Sequence, residues 1–266
     1  EGVIDPEFGV KDAVKVSENV NAGKVGMFYG YFWNCSSGWL QDGKMNDPSI
    51  DWIAVPILSI DDEPAKAMVP FATTYYTVVS KDCANPEAAV KMYNLVLEKM
   101  FGETAQPEVY NSTPENLAVF NYAYSYGEPP MKNLDAQQAV VAALESGDAS
   151  GLSAEQKNYY DNCVAYEESG DLALWGNYMM YGPDGGLGVI NEYVSSGNVV
   201  TDNYFGAPTD GMAEKNATLQ KLQLETFTKI ITGSADVDEF DTYVENWKSL
   251  GGQQITDEVN EWLAQQ

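Results

Sequence analysis

The sequence predicts an α/β protein, because strand-like segments in its first third are followed by segments with helical patterns. Large apolar residues alternate with their neighbours at 27–31, with the period of two that points successive side chains to opposite faces of a strand. Two more strands are predicted at 51–57 and 68–80, the second rich in aromatic and β-branched residues. With 266 residues, the chain can form one large domain or two small ones around a buried core.

The predicted helices follow from apolar residues at helical spacing and from end signals. The run Asn85-Pro86-Glu87 begins a helix that reaches Gly102, because it offers a capping side chain, a first-turn proline and an acid at the positive end of the helix dipole. Further helices are predicted at 8–20, 133–147, 153–168, 219–231, 237–247 and 255–263. Four rings at helical spacing in the last three of these helices are assigned to packing: Phe227, Phe240, Trp247 and Trp262.

The charge and residue usage exclude several classes of function. A net charge of −26 makes nucleic-acid binding implausible, since contact with phosphates would be repulsive. The chain has no histidine, which removes the usual general base and transition-metal ligand. Its three cysteines, Cys35, Cys83 and Cys163, are too far apart for a zinc site and odd in number. We therefore predict no metal and no cofactor, and the absence of a run of about 18 apolar residues predicts no membrane span.

The stretch Gly23–Trp39 is the first candidate for a binding site. After Tyr31 the alternation ends, and Trp33 and Trp39 fall among small and polar residues that favour turns. Rings on a loop at the end of a strand often line a concave site, although each ring taken alone could equally fill the core. Tyr31, Trp33, Asn34 and Trp39 are the candidate residues of this stretch.

Several segments resemble a known family from end to end of the chain. They include GKVGMFYGYFW, DWIAVPIL, VVSKDCANPEAAVKMYN, NYFGAPTDGM and the terminal FTKIITG with DEFDTYVENWKSLGG. These phrases resemble extracellular solute-binding proteins of ABC importers, in the lipoprotein-type carbohydrate-binding group distantly like maltose-binding protein. The resemblance implies a periplasmic-binding-protein-like (type II) clamshell of two α/β lobes. It also implies a non-enzymatic protein, anchored outside the bacterial cell as a lipoprotein, that delivers an oligosaccharide to permease subunits.

The resemblance also implies which residues touch the sugar. Trp33 holds the position of a tryptophan that stacks on a sugar ring, while Asn34, Ser36 or Ser37 can hydrogen-bond the hydroxyl edge. A pyranose has an apolar C–H face and a polar edge, so this mixture of residues suits it. Two more clusters follow from the family pattern: Phe205 with Thr209, and Phe71 with Thr74 and Tyr75.

The chain departs from the family in lacking a secretion signal, a lipid-modified cysteine and a long first section. The opening EGVIDPEF resembles a phrase from the middle of a family member. We therefore expect the C-terminal portion of a larger protein, in which 1–45 and 103–266 belong to the C-terminal lobe and 46–102 to the N-terminal lobe. Any membrane attachment would depend on a lipid anchor that this chain does not carry.

Two other classes of function stay open at the sequence level. A secreted glycoside hydrolase or lyase would also have many aromatic rings and carboxylates, but the paired acids at 61–62, 167–168 and 236–241 look like helix starts and solvated faces. A calcium-dependent carbohydrate adhesion module could use the cluster that begins at Asp236. That cluster lacks the central glycine and distal glutamate of a calcium loop.

Overall fold

The computed structural model describes residues 3–71, 73, 75–111 and 118–266, and it is predominantly helical. Helices account for 56% and strands for 3% of the structure. Within the described residues the strands form one two-stranded sheet, β1 (Ala67–Val69) paired with β2 (Val199–Thr201). The prediction of an α/β clamshell, with lobes built on sheets, is therefore wrong.

Each predicted helix overlaps a helix of the structure, whereas the helices at Leu40–Asn46, Pro107–Tyr110, Leu172–Tyr181 and Gly186–Ser195 were not predicted. Their bounds are α1 Ala13–Asn21, α2 Leu40–Asn46, α3 Glu87–Phe101, α4 Pro107–Tyr110, α5 Lys132–Ser146, α6 Ala154–Ser169, α7 Leu172–Tyr181, α8 Gly186–Ser195, α9 Asp210–Ile231, α10 Glu239–Trp247 and α11 Gln253–Leu263. Short 3₁₀ turns span Phe8–Val10, Phe32–Cys35 and Val119–Tyr122, and a π turn, Lys248–Gly252, joins α10 to α11.

The ends of α5 and α6 show why local sequence locates these helices well. Ser153 caps α6 by accepting a hydrogen bond from the Gln156 N–H, and the Gln156 side chain accepts one from the Ser153 N–H. Helices α5 and α6 end at Gly147 and Gly170, whose φ angles of 72° and 67° favour glycine. These signals depend only on neighbouring residues, so they can be read from the sequence.

The predicted strands at 27–31 and 51–57 have no regular secondary structure and belong to no ladder. In the second segment Trp52, Ala54 and Pro56 are half-buried, while Ile53 and Val55 are exposed, so the alternation of faces survives. A strand also needs a hydrogen-bonding partner, and among the described residues only the start of the third segment finds one, at β2. The alternation therefore matches the pattern of exposure in 51–57, and it predicted the sheet incorrectly.

The chain divides into two compact units, Glu1–Asp12 with Thr201–Gln266 as the first and Ala13–Val200 as the second. The predicted lobe boundaries at 45/46 and 102/103 stay predictions. In the second unit α6 packs on α5 and α7. Its two core clusters contain Ala136, Val140, Cys163, Tyr181 and Leu187 in one, and Val20, Cys35, Leu40 and Trp175 in the other.

The first unit is built mainly from α9, α10 and α11. Leu219 on α9 is buried, while Phe227 and Phe240 contact each other and Tyr243 and remain partly exposed. Trp262 on α11 packs against rings in the segment that precedes α9. In the part of the chain that the structure describes, no helix combines the length and apolar character needed to cross a membrane.

Candidate functional site

A groove lined by aromatic side chains is a concave feature of the second unit. Its volume is about 630 Å³, within the range of roughly 300 to 1,000 Å³ that is typical of small-molecule sites. We call it the tyrosine groove. It is lined by Tyr75, Tyr76, Thr77, Val79, Pro86, Ala89, Val90, Tyr93, Phe120, Asn121, Ala123, Tyr124 and Tyr126.

Three segments of chain bring these side chains together. The first two turns of α3 contribute one face, since Pro86, Ala89, Val90 and Tyr93 are three or four positions apart. The segment 75–79 forms a second wall. The 3₁₀ turn Val119–Tyr122 and the residues after it form the third. The groove is therefore built from segments that are distant in sequence.

Tyr126 is the ring that joins two of these walls. Its centroid lies 6.2 Å from that of Tyr75, with the ring planes at 88°. It also lies 5.5 Å from the ring of Phe120 at an angle of 33°. Burial and a hydrogen bond to the Glu128 carboxylate raise the pKa of Tyr126. Its phenol group is therefore neutral at physiological pH and acts as a donor.

A polar cluster stands behind this wall, and we call it the Glu155 cluster: Asn111, Glu128, Lys132, Glu155 and Tyr159. Glu155 Oε1 accepts hydrogen bonds from Asn111 Nδ2 at 2.8 Å, Lys132 Nζ at 2.9 Å and Tyr159 Oη at 2.8 Å. Lys132 Nζ also lies 3.5 Å from Glu128 Oε2. Burial raises the pKa of Tyr159 well above its ordinary value, with Glu155 contributing. The cluster connects the end of α4 with the first turns of α5 and α6.

One of the sequence-predicted site residues, Tyr75, lines the tyrosine groove. Phe71 precedes it along the chain and is partly exposed outside the groove lining. Thr74 lies outside the described residues. The sequence therefore indicated this segment, although through the family pattern and not through the groove itself.

The candidates at 31–39 form a separate feature of the second unit. Tyr31 and Trp33 stack with centroids 5.1 Å apart and planes at 11°, and Trp33 is 44% exposed. Asn34 is only 4% exposed, and its Oδ1 accepts from the Tyr31 N–H at 2.6 Å, so it shapes the turn. Trp39 stacks on Phe28 at 6.0 Å. Tyr31 and Trp33, which we call the ring pair, can therefore present an aromatic surface, whereas Asn34 is committed to the turn.

The candidates Phe205 and Thr209 belong to the first unit. Phe205 contacts Trp262 edge to face at 4.7 Å and remains exposed. Thr209 caps α9, since its Oγ1 accepts from the Met212 N–H at 3.1 Å. A capping role explains Thr209 without a ligand.

Sequence reasoning missed most of the tyrosine groove. Tyr93, Phe120, Tyr124 and Tyr126 line the groove and are not among the sequence-predicted site residues. One signal was available, because the segment 120–126 reads FNYAYSY and carries four rings in seven residues. Such density of exposed tyrosine is typical of binding surfaces more than of cores.

The acidic pairs behind the two alternative functions lie on the surface. Asp61 accepts hydrogen bonds from the Ser59 hydroxyl and the Glu63 N–H, which lower its pKa. A glycosidase acid needs the opposite shift. Asp236 accepts from the Asp238 N–H in the turn before α10. Among the residues that the structure describes, no group of three or more His, Cys, Asp or Glu could hold a metal ion.

Two of the three thiols are buried within the second unit. Burial raises the pKa of Cys35 to about 11 and that of Cys163 to about 12. Cys35 Sγ lies 3.6 Å from the Met179 carbonyl oxygen, so this thiol is part of the packing around α7. Cys83 is exposed, and all three cysteines are free.

Comparisons with known proteins give one distant relative. A Niallia circulans protein described as "Uncharacterized protein in butB 5'region" is 25% identical over 268 residues, which cover 99% of this chain and 94% of that protein. No model of a known protein family matches the chain. No solved structure matches it. The chain is therefore similar along its whole length to a protein whose description states no activity.

Proposed function

We propose that this chain is a non-enzymatic carbohydrate-binding protein that supplies an ABC importer. The observation that carries the proposal is the tyrosine groove, a concave surface of ligand size lined by six aromatic rings and by uncharged residues. The resemblance of segments along the whole chain to extracellular solute-binding proteins supports the importer role. The extracellular, lipid-anchored location and the permease partner belong to the same proposal.

The chemistry of the groove suits a sugar. The faces of Tyr75, Tyr93 and Tyr126 can cover the apolar C–H face of a pyranose. The phenol groups can hydrogen-bond the hydroxyl edge, and so can the side chains of Thr77 and Asn121. Because the site lies within the second unit, binding requires no closure of sheet-based lobes. The ring pair is a second, separate aromatic surface of the same unit.

The test of binding is a thermal-shift screen against mono- and oligosaccharides, followed by calorimetry on those that raise the melting temperature. Tyr75→Ala should weaken binding by about two- to tenfold, the equivalent of one aromatic contact. Tyr122→Ala is the matched control, because Tyr122 is 76% exposed against 74% for Tyr75 and does not line the groove. If both variants lost affinity equally, the binding site would not be the tyrosine groove. If no sugar raised the melting temperature, the chain would not bind sugar.

The importer role needs its own test. Cells without this protein should lose uptake of the sugar that the purified chain binds, and uptake should return when the gene is restored. Unchanged uptake would refute the importer role and leave the binding result intact. Turnover of glycosides by the purified chain would refute the non-enzymatic part.

A further inference from the structure

The ring arrangement of the tyrosine groove is suited to a cation. Tyr75 and Tyr126 stand at 88° to each other, so their faces form a corner. Phe120 extends the Tyr126 wall, and Tyr93 and Tyr124 border the same space. A cation within about 6 Å of several ring centroids is attracted by the negative faces of the rings, which is how aromatic cages hold ammonium groups.

The Tyr126 ring has an additional reason to attract positive charge. The Glu128 carboxylate lies near its phenol and, after burial, contributes to raising the pKa of that phenol. The phenol therefore stays neutral beside a negative charge, which adds to the attraction of a cation at this corner of the groove.

The surrounding charges favour the same sign of ligand. None of the described residues that line the groove is a lysine or an arginine. Behind Tyr126, Glu128 and Glu155 share one cation, Lys132, so two negative charges and one positive charge leave a local balance of −1. The chain as a whole carries a net charge of −26. Cations are therefore drawn toward the groove and anions are repelled.

The start of α3 is a feature of the groove that favours an anion. Pro86 lies at the N-terminal end of this helix, where unpaired N–H groups carry partial positive charge. Glu87 in the first turn already supplies negative charge at that end. The helix end therefore adds little positive potential to the groove.

Resting on the proposed function, we infer that the tyrosine groove selects an amino sugar with a free ammonium group over neutral and acidic sugars. The ammonium group occupies the corner between Tyr75 and Tyr126, and the pyranose rings stack along Tyr93 and Tyr124. The interaction of the ammonium group with the rings gives the preference for amino sugars, and stacking of the pyranose rings gives the affinity for sugar in general.

The test is calorimetry with three ligands at low ionic strength: the β-1,4-linked disaccharide of glucosamine, its N,N′-diacetyl form, and cellobiose. Cellobiose has hydroxyls in place of both ammonium groups, so it isolates the charge. The glucosamine disaccharide should bind about tenfold more tightly than either neutral ligand. The preference should shrink in high salt, because screening weakens attraction between partly exposed charges.

Variants distinguish a cation-binding site from nonspecific binding to aromatic surface. Tyr126→Leu and Tyr75→Leu should remove the preference for the glucosamine disaccharide, Tyr126→Phe should retain part of it, and Tyr122→Leu should leave it unchanged. Tyr75 is 74% exposed, so its variant stays folded even if Tyr126→Leu does not. Equal or tighter binding of cellobiose would overturn this inference and keep the proposed function. Failure of every sugar in the panel and in the wider screen would overturn both.

Discussion

Replacement of Glu155 is the sharpest test of the structure around the tyrosine groove. The side chains of Glu155 and Lys132 are 14% and 13% exposed, and one oxygen of Glu155 serves three donors. Glu155→Ala leaves a largely buried ammonium with the longer contact to Glu128 and the Phe101 ring at 5.8 Å, and it removes the acceptor of Asn111 and Tyr159. Breaking a buried pair on one side costs about 3 to 5 kcal/mol of unfolding free energy.

The conservative variant gives an intermediate expectation. Glu155→Gln keeps an oxygen acceptor but loses the charge, so charged hydrogen bonds become neutral ones. The difference between the two kinds of bond is roughly 1 to 2 kcal/mol. Glu168→Ala is the matched control, because Glu168 is an exposed acid on the same helix, α6. An exposed substitution of this kind changes the stability by no more than about 0.5 kcal/mol.

The assay is thermal melting followed by circular dichroism. For a domain of 150 to 250 residues, each kcal/mol shifts the melting temperature by about 2 to 4 °C, and the second unit spans Ala13–Val200. Glu155→Ala should therefore melt roughly 6 to 20 °C below the unsubstituted chain. The melting temperature should be lowest for Glu155→Ala, higher for Glu155→Gln and highest for the Glu168→Ala control. A Glu155→Ala chain that melts with the Glu168→Ala control would show that the cluster does not hold these helices together.

Two further predictions concern the ring pair and the start of α9. Trp33→Ala should change the free energy of unfolding by less than about 1 kcal/mol, since the Trp33 ring is exposed. Trp175→Ala should lower it by about 3 to 5 kcal/mol, because Trp175 is buried. Urea unfolding measures both, and equal losses would place Trp33 in the core. Hydrogen bonds from Thr209, Gln254 and the Gly211 N–H lower the pKa of Glu258 in the folded chain. The ionised Glu258 therefore stabilises the fold fully above the unfolded pKa of about 4.3, and this stabilisation is lost as the pH falls through the lowered folded pKa. Glu258→Gln should flatten the acid decline of melting temperature, and an unchanged decline, matching that of Glu261→Gln, would contradict the assignment.

The helices that were predicted carry local signals, whereas α2, α4, α7 and α8 were not predicted. The Ser153 and Gln156 pair and the glycine at 170 specify both ends of α6 without reference to distant chain. The strands were not predictable in this way, because a strand is completed by a partner far along the sequence. β1 is paired at 199–201, whereas the segment 51–57 keeps strand-like alternation without a ladder. Periodicity shows which face of a segment is apolar, but it does not show whether a second strand is available to pair with that segment.

The site was only partly predictable for a related reason. Rings near turns were recognised at Tyr31 and Trp33, and the structure stacks these two together. The tyrosine groove combines α3 with two other segments, and no local pattern shows that Tyr75 and Tyr126 meet. The density of rings in 120–126 was visible in the sequence, but density alone does not say which rings converge.

The distinction between a core ring and a binding ring depends on neighbours that the sequence does not display. Tyr159 and Tyr181 stack at 3.8 Å within the second unit, and their hydroxyls meet Glu155 and Asn133. The planes of Tyr31 and Trp33 are as nearly parallel, at 11° against 12°, yet Tyr31 is 71% exposed. Stacking alone therefore does not separate a core pair from a surface pair. The stacked pair that is buried with its polar atoms satisfied stabilises the fold, while the stacked pair that faces solvent retains surface that a ligand can cover.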